Sequence, residues 1–144
     1  MIRPAVEADR WPLIRLMQRC RMGCADYTYG QMDGTIVLDV HDDGAIRGYV
    51  SFWLGRPETH IRQLVVAPEF RDGTVLWGLL RELTKLALAY GSQGIEGFQT
   101  DEHPEVQALF HKVGARPENG RRARWPLSPK VSAEADHWRE ALLA

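Results

Sequence analysis

The feature that most constrains the fold is a change of hydrophobic period within one stretch, residues 60–90, HIRQLVVAPEFRDGTVLWGLLRELTKLALAY. Residues 61–66 are a short apolar run rich in β-branched side chains and closed by Ala67-Pro68, which predicts a buried strand. From Val75 onward the apolar residues Val75, Leu76, Leu79, Leu80, Leu83, Leu86, Ala87 and Tyr90 recur at the three- and four-residue spacings of one helical face. A buried strand therefore feeds a helix through the polar turn Glu69-Phe70-Arg71-Asp72-Gly73-Thr74. The leading amides of a helix have no intrahelical partner and lie at the positive end of its dipole, so a junction of this kind favours an anion.

The rest of the chain supplies one domain around that junction. At 144 residues with 26% charged and 44% hydrophobic side chains, it has material for one core. A net charge of −1 gives no general pull toward nucleic acid or anionic membrane, so neither is an expected partner. The first residues lack the zones of a secretion signal and no apolar run approaches a membrane span, so a soluble, cytoplasmic protein is expected. Asp9 is placed to cap a first helix carrying Trp11, Ile14, Leu16, Met17 and Cys20. Cys20 and Cys24, four apart on that predicted helix, would share a face as half of a metal site. No second ligand pair stands nearby, two reduced thiols are the simpler reading, and no metal is expected.

Residues 22–33 then read as a loop with Tyr27 and Tyr29, aromatics that either line a pocket or cover a core edge. Ile36, Leu38 and Val40 alternate with Val37, Asp39 and His41, Asp42-Asp43-Gly44 turns, and Ile46, Val50, Phe52 and Leu54 lead back, which predicts an antiparallel hairpin. Gly91 ends the long helix, 94–98 is a further strand, and Asn119-Gly120 predicts a two-residue turn in a closing hairpin over 115–127. Arg121, Arg122 and Arg124 in that hairpin either guard a strand edge or meet a phosphate or acidic partner. Beyond it, Ser132 caps a short amphipathic helix whose Trp138 and Leu142 must rest on the domain or on another chain, in a homo-oligomer or with a protein partner.

Two runs carry a family resemblance. Val66-Ala67-Pro68-Glu69-Phe70-Arg71, followed by Leu79-Leu80-Arg81-Glu82-Leu83, resembles the acyl-CoA pyrophosphate segment of the GNAT superfamily, written V-x-P-x-x-R-G-x-G-x-G/A and then a helix. Asp72, Thr74 and Leu76 stand where that family prefers small residues, and Gly73 takes the variable position between the first two. The Leu76 side chain and the Asp72 charge would oppose a polyanion there. In the second run, residues 103–115, Leu109 and Gly114 match the family's N-x-x-A-x-x-L-Y-x-x-x-G-F, while His103 replaces the Asn, Phe110 the Tyr and Ala115 the Phe. The resemblance implies an α/β (α+β) fold over 1–127, a mixed and mostly antiparallel sheet flanked by helices, with 128–144 an added linker and C-terminal helix.

It also implies a function: transfer of an acetyl group from acetyl-CoA to an amine acceptor. Cofactor contacts would come from Leu64, Val65 and Val66 through a strand amide, from Arg71, Asp72, Gly73, Thr74, Val75 and Leu76 at the turn, and from His103 on the late helix unless that residue simply begins it. A tyrosine at position 110 would protonate the leaving thiolate in many relatives; Phe110 has no proton to give. For the base, His60 and Glu58 are nearby, and histidine is the residue type that titrates nearer neutrality. An exposed strand histidine with no task is the simpler reading of His60. The competing function is a GNAT-like scaffold without turnover and without cofactor, similar to small domains that bacteriophages encode among their structural proteins, with the virion as its place. No G-x-S-x-G elbow, Walker loop, H-E-x-x-H or paired C-x-x-C occurs, which argues against hydrolase, NTPase and zinc chemistry.

Overall fold

The computed structural model describes residues 1–24, 35–70, 73–98, 116–118 and 122–127. The described elements are β1 (Ile2–Pro4), a 3-10 turn (Glu7–Asp9), α1 (Arg10–Arg19), β2 (Ile36–Val40), β3 (Ile46–Trp53), β4 (Glu58–Val66), a second 3-10 turn (Pro68–Phe70), α2 (Thr74–Tyr90), β5 (Gly94–Phe98), β6 (Arg116–Glu118) and β7 (Arg122–Pro126). The strands form one seven-stranded sheet in the order β1-β2-β3-β4-β5-β7-β6. Every neighbouring pair is antiparallel except β4 and β5, which α2 joins in parallel as a crossover connection. The mixed, mostly antiparallel sheet with helices that the sequence predicts is therefore the fold.

The helices α1 and α2 pack on opposite faces of the sheet. On one, Leu79, Leu80 and Leu83 of α2 are fully buried against Val50, Phe52, Ile61, Leu64 and Ile95. Each such leucine contributes roughly 1.5–3 kcal/mol by leaving water. On the other, Leu13, Ile14, Leu16 and Met17 of α1 cover Ile36, Leu38, Tyr49 and Val65. The α2 side approaches closely at Gly48: a Cβ there would lie 2.8 Å from the Val65 carbonyl oxygen and 3.0 Å from Val75 Cγ1. That spacing lets helix and sheet meet without a side chain between them.

Local chemistry departs from the sequence reading at several points. Asp9 does not cap α1; its carboxylate accepts the Val6 amide at 2.7 Å and a bidentate pair from Arg3 at 2.8 and 2.9 Å, closing the 3-10 turn that precedes the helix. The helix stops at Arg19 because Arg21 turns left-handed (φ 58) and the Met22 amide bonds back to the Met17 carbonyl at 2.8 Å. Cys24 is thus beyond the helix and shares no helical face with Cys20; among the described residues no cluster of potential ligands could hold a metal. Tyr90 is 43% exposed, off the buried face of α2, under the Arg56 guanidinium. β2 is buried on both faces, Asp39 included, because Arg47 Nε and Nη2 reach the same carboxylate oxygen at 2.6 Å. In the closing hairpin Glu118 pairs with Arg122, so three residues connect the strands where Asn119-Gly120 alone predicts two. Predicted features at 25–34, 99–115 and 128–144, including Tyr27, Tyr29, His103, Phe110 and the C-terminal helix, lie outside the described residues.

Candidate functional site

The site is built on β4. At its start Glu58, Thr59 and His60 pair with Gly94, Ile95 and Glu96 of β5 on one side, and from His60 onward β3 runs along the other. Beyond His60↔Glu96 the parallel ladder ends. β4 continues to Val66 while β5 leaves through Gly97 and Phe98, so the sheet opens as a fork between its one parallel pair. On the β3 side Ser51 pairs with Gln63 and Phe52 with Ile61, which makes Arg62 the extra residue of a β-bulge just above the vertex. A bulge bends its strand and re-aims the backbone, and both effects fall where the strands part.

At its far end β4 delivers the chain to α2. The Pro68–Phe70 turn closes with the Phe70 amide on the Ala67 carbonyl at 2.9 Å. Gly73 occupies the N-cap with φ 97 and ψ −21, a left-handed conformation that a Cβ disfavours. The first bond of the helix runs from the Trp77 amide to the Gly73 carbonyl at 3.0 Å. Glycine thus stands at the point of the turn that needs it, one residue later than the family's first glycine. Arg71 and Asp72 lie outside the described residues. Val75 and Leu76 are 3% and 6% exposed, their side chains in the core under α2. The Leu76 side chain, expected as an obstruction, is packed on the inner face of the helix beside that of Val75. The Leu64 and Val65 side chains are likewise buried, in opposite core layers.

The vertex carries titratable side chains. His60 Nδ1 lies 3.1 Å from Glu96 Oε2, with the histidine side chain 48% exposed and the glutamate 15%. Trp53, paired with His60 across the sheet, is 55% exposed, and the Arg62 guanidinium lies 4.4 Å over its ring. One carboxylate oxygen of Glu58 is buried. On the same strand Gln63 accepts the buried Tyr49 hydroxyl at 2.7 Å and donates to the Gly23 carbonyl at 2.8 Å, which pins the chain that leaves α1 against β4. The loop predicted at 22–33 therefore starts beside β4. Glu96 was not among the residues singled out from sequence; the available signal was a carboxylate inside the otherwise apolar or glycine strand 94–98. A cavity of about 340 Å³ lies elsewhere, between β1, the Asp39–Arg47 pair and the first turn of α2.

A sheet forked at its one parallel pair, with a glycine-capped helix following the forked strand, has the fold of the GNAT acetyltransferases. The model of the acetyltransferase (GNAT) family matches residues 7–115, and the chain belongs to that family. Among solved structures it is similar to an acetyltransferase of the GNAT family from Staphylococcus aureus (TM-score 0.76, 13% identity, 89% of this chain and 99% of that one). It is also similar to the ribosomal-protein-S18-alanine N-acetyltransferase of Escherichia coli (TM-score 0.73, 14% identity, 89% and 94%). A third likeness is to PaiA N-acetyltransferase of Thermoplasma acidophilum in complex with coenzyme A (TM-score 0.72, 13% identity, 88% and 98%). No curated protein matches the sequence. No described helix is long and apolar enough to cross a membrane.

Proposed function

We propose that the chain is an acetyl-CoA-dependent N-acetyltransferase acting on an amine acceptor, with the thioester seated in the β4–β5 fork. The observation that carries this reading is the end of the parallel ladder at His60↔Glu96 while β4 runs on to Val66. Bound acetyl-CoA supplies an activated acetyl group. The chain's own contribution is placement and charge: the backbone of 64–66 along the fork to polarise the thioester carbonyl, and the turn of 71–76 with its left-handed Gly73 to meet the phosphates. His60, half-exposed at the vertex, takes the proton that the amine must lose, at the ring nitrogen not engaged by Glu96. With phenylalanine at position 110, the thiolate takes its proton from water or another group. His103 stays assigned to the CoA chain by family position alone.

Calorimetric titration of the full chain with acetyl-CoA tests the reading: binding heat is expected, and none at millimolar ligand overturns it. That negative result would favour the competing assignment, a scaffold of the same fold without turnover, whose motivating features are Phe110 and the appended segment bearing Trp138.

A further inference from the structure

We infer that Glu96 is a positioning residue, holding the His60 imidazole in the tautomer that leaves Nε2 as its proton acceptor. The inference rests on the reading of His60 as the base, and goes beyond it by assigning a second residue on a different strand.

Three observations carry it. Glu96 is in register with His60 across the parallel ladder, and its carboxylate oxygen is 3.1 Å from Nδ1. A carboxylate that close favours the neutral tautomer protonated at Nδ1, which leaves the lone pair on Nε2. Next, Glu96 is on an interior strand: β5 is paired with β4 on one side and β7 on the other, so the backbone beneath the carboxylate is fixed from both edges. The Glu96 side chain is 15% exposed, which keeps its carboxylate beside the His60 ring and largely out of water. Finally, this is the last pair before the fork opens, so the ring is oriented at the vertex.

Other charged positions near the pair are Glu58 and Arg62 of β4, and Arg124, which stands opposite Glu96 in the β7 register. Of these, Arg62 lies over Trp53. Glu96 is the carboxylate in contact with Nδ1.

The experiment uses the full chain labelled with ¹⁵N-histidine. Long-range ¹H–¹⁵N correlation spectra of the neutral ring are expected to show His60 protonated at Nδ1 in the wild type; protonation at Nε2 overturns the inference whatever the activity. In Glu96→Leu the ring is expected to lose that preference. Its kcat should fall at least about tenfold, short of the roughly 10²- to 10⁴-fold that a missing base costs, with KM little changed. Glu96→Gln, which keeps an acceptor oxygen, is expected to recover both the tautomer and part of kcat and covers the case in which the leucine variant does not fold. An unaltered kcat in both variants overturns the inference. Absence of acetyl-CoA binding in the wild type defeats the parent reading and leaves the tautomer measurement to decide the role of Glu96 in holding the ring.

Discussion

The two ends of β4 are built on opposite principles. At its start the strand is stitched in place. Thr59 donates to Ser92 Oγ at 2.8 Å and Ser92 to the Gly55 carbonyl at 2.5 Å, the Gln93 amide donates to the Pro57 carbonyl at 2.6 Å, and Arg56 Nε donates to the Tyr90 carbonyl at 2.8 Å. These bonds lash the cis Arg56-Pro57 turn to the C-terminus of α2, which ends on left-handed Gly91 (φ 92). Past that start β4 parts from β5 and bulges at Arg62, and its far end leads to a second left-handed glycine, Gly73. On the proposed function, one helix has its two termini assigned to different work, closure at Gly91 and ligand contact at Gly73. The difference teaches that an open fork needs a closed vertex: only a strand held firmly at 58–60 can leave backbone groups fixed in a gap a few residues later.

Substitutions can break or sharpen that contrast. The largest effect is expected from His60→Gln, which should lower kcat/KM by roughly 10²- to 10⁴-fold while leaving the denaturation midpoint within error, as measured by steady-state acetylation and urea unfolding. A matching fall in stability would make His60 part of the clamp and erase the division. Ser92→Ala acts the other way: with the Thr59 hydroxyl and the Gly55 carbonyl deprived of a buried partner, unfolding free energy should drop by about 1–3 kcal/mol, with the affinity for acetyl-CoA in the folded protein nearly kept.

The two glycines give a symmetrical test. Gly73→Ala and Gly91→Ala should each cost about 1–2 kcal/mol for placing a Cβ in the left-handed region, the latter also crowding Arg56 Nε at 3.2 Å. Calorimetry should find acetyl-CoA binding weakened in the Gly73 variant alone; equal weakening in both would refute the assignment of the two termini. The smallest effect belongs to Asp9, remote from both ends of β4. Its hydrogen bonds from Arg3 hold its carboxyl below the usual carboxylate range. A lowered folded-state pKa contributes stability that is present above the unfolded value of about 3.9 and is lost as pH falls through the folded one. Asp9→Asn should therefore cost about 1 kcal/mol at neutral pH, and the gap to wild type should close in urea titrations below about pH 4, with acetylation unaffected.

Much of this was legible in the sequence where the signal is local. The switch from strand to helical period at 61–90, the hairpin around Asp42-Asp43-Gly44 and the glycine ending α2 all depend on neighbours within a few residues, and each is in the structure. The His60–Glu96 pair was not legible, because it depends on the register of a parallel ladder whose partners are separated by the whole of α2. The bulge at Arg62 and the three-residue hairpin connection were hidden for the same reason: register is settled by packing on both faces, and no single turn residue reports it. Cys24 was misplaced by extending a helix through Arg21, whose left-handed backbone a sequence pattern does not reveal. Comparing a loop motif by position also hides that α2 has already begun at Leu76, whose side chain the helical period turns inward.

The outermost strands carry a consequence of their own. β1 and β6 form the two borders of the sheet, each is only three residues long, and each contains a proline, Pro4 and Pro117, which has no amide hydrogen to donate. Borders so brief and so poor in donors give a foreign strand little to zip onto, which protects a seven-stranded sheet from edge-to-edge aggregation. Among the described residues, these borders make extension of the sheet a poor route to self-association.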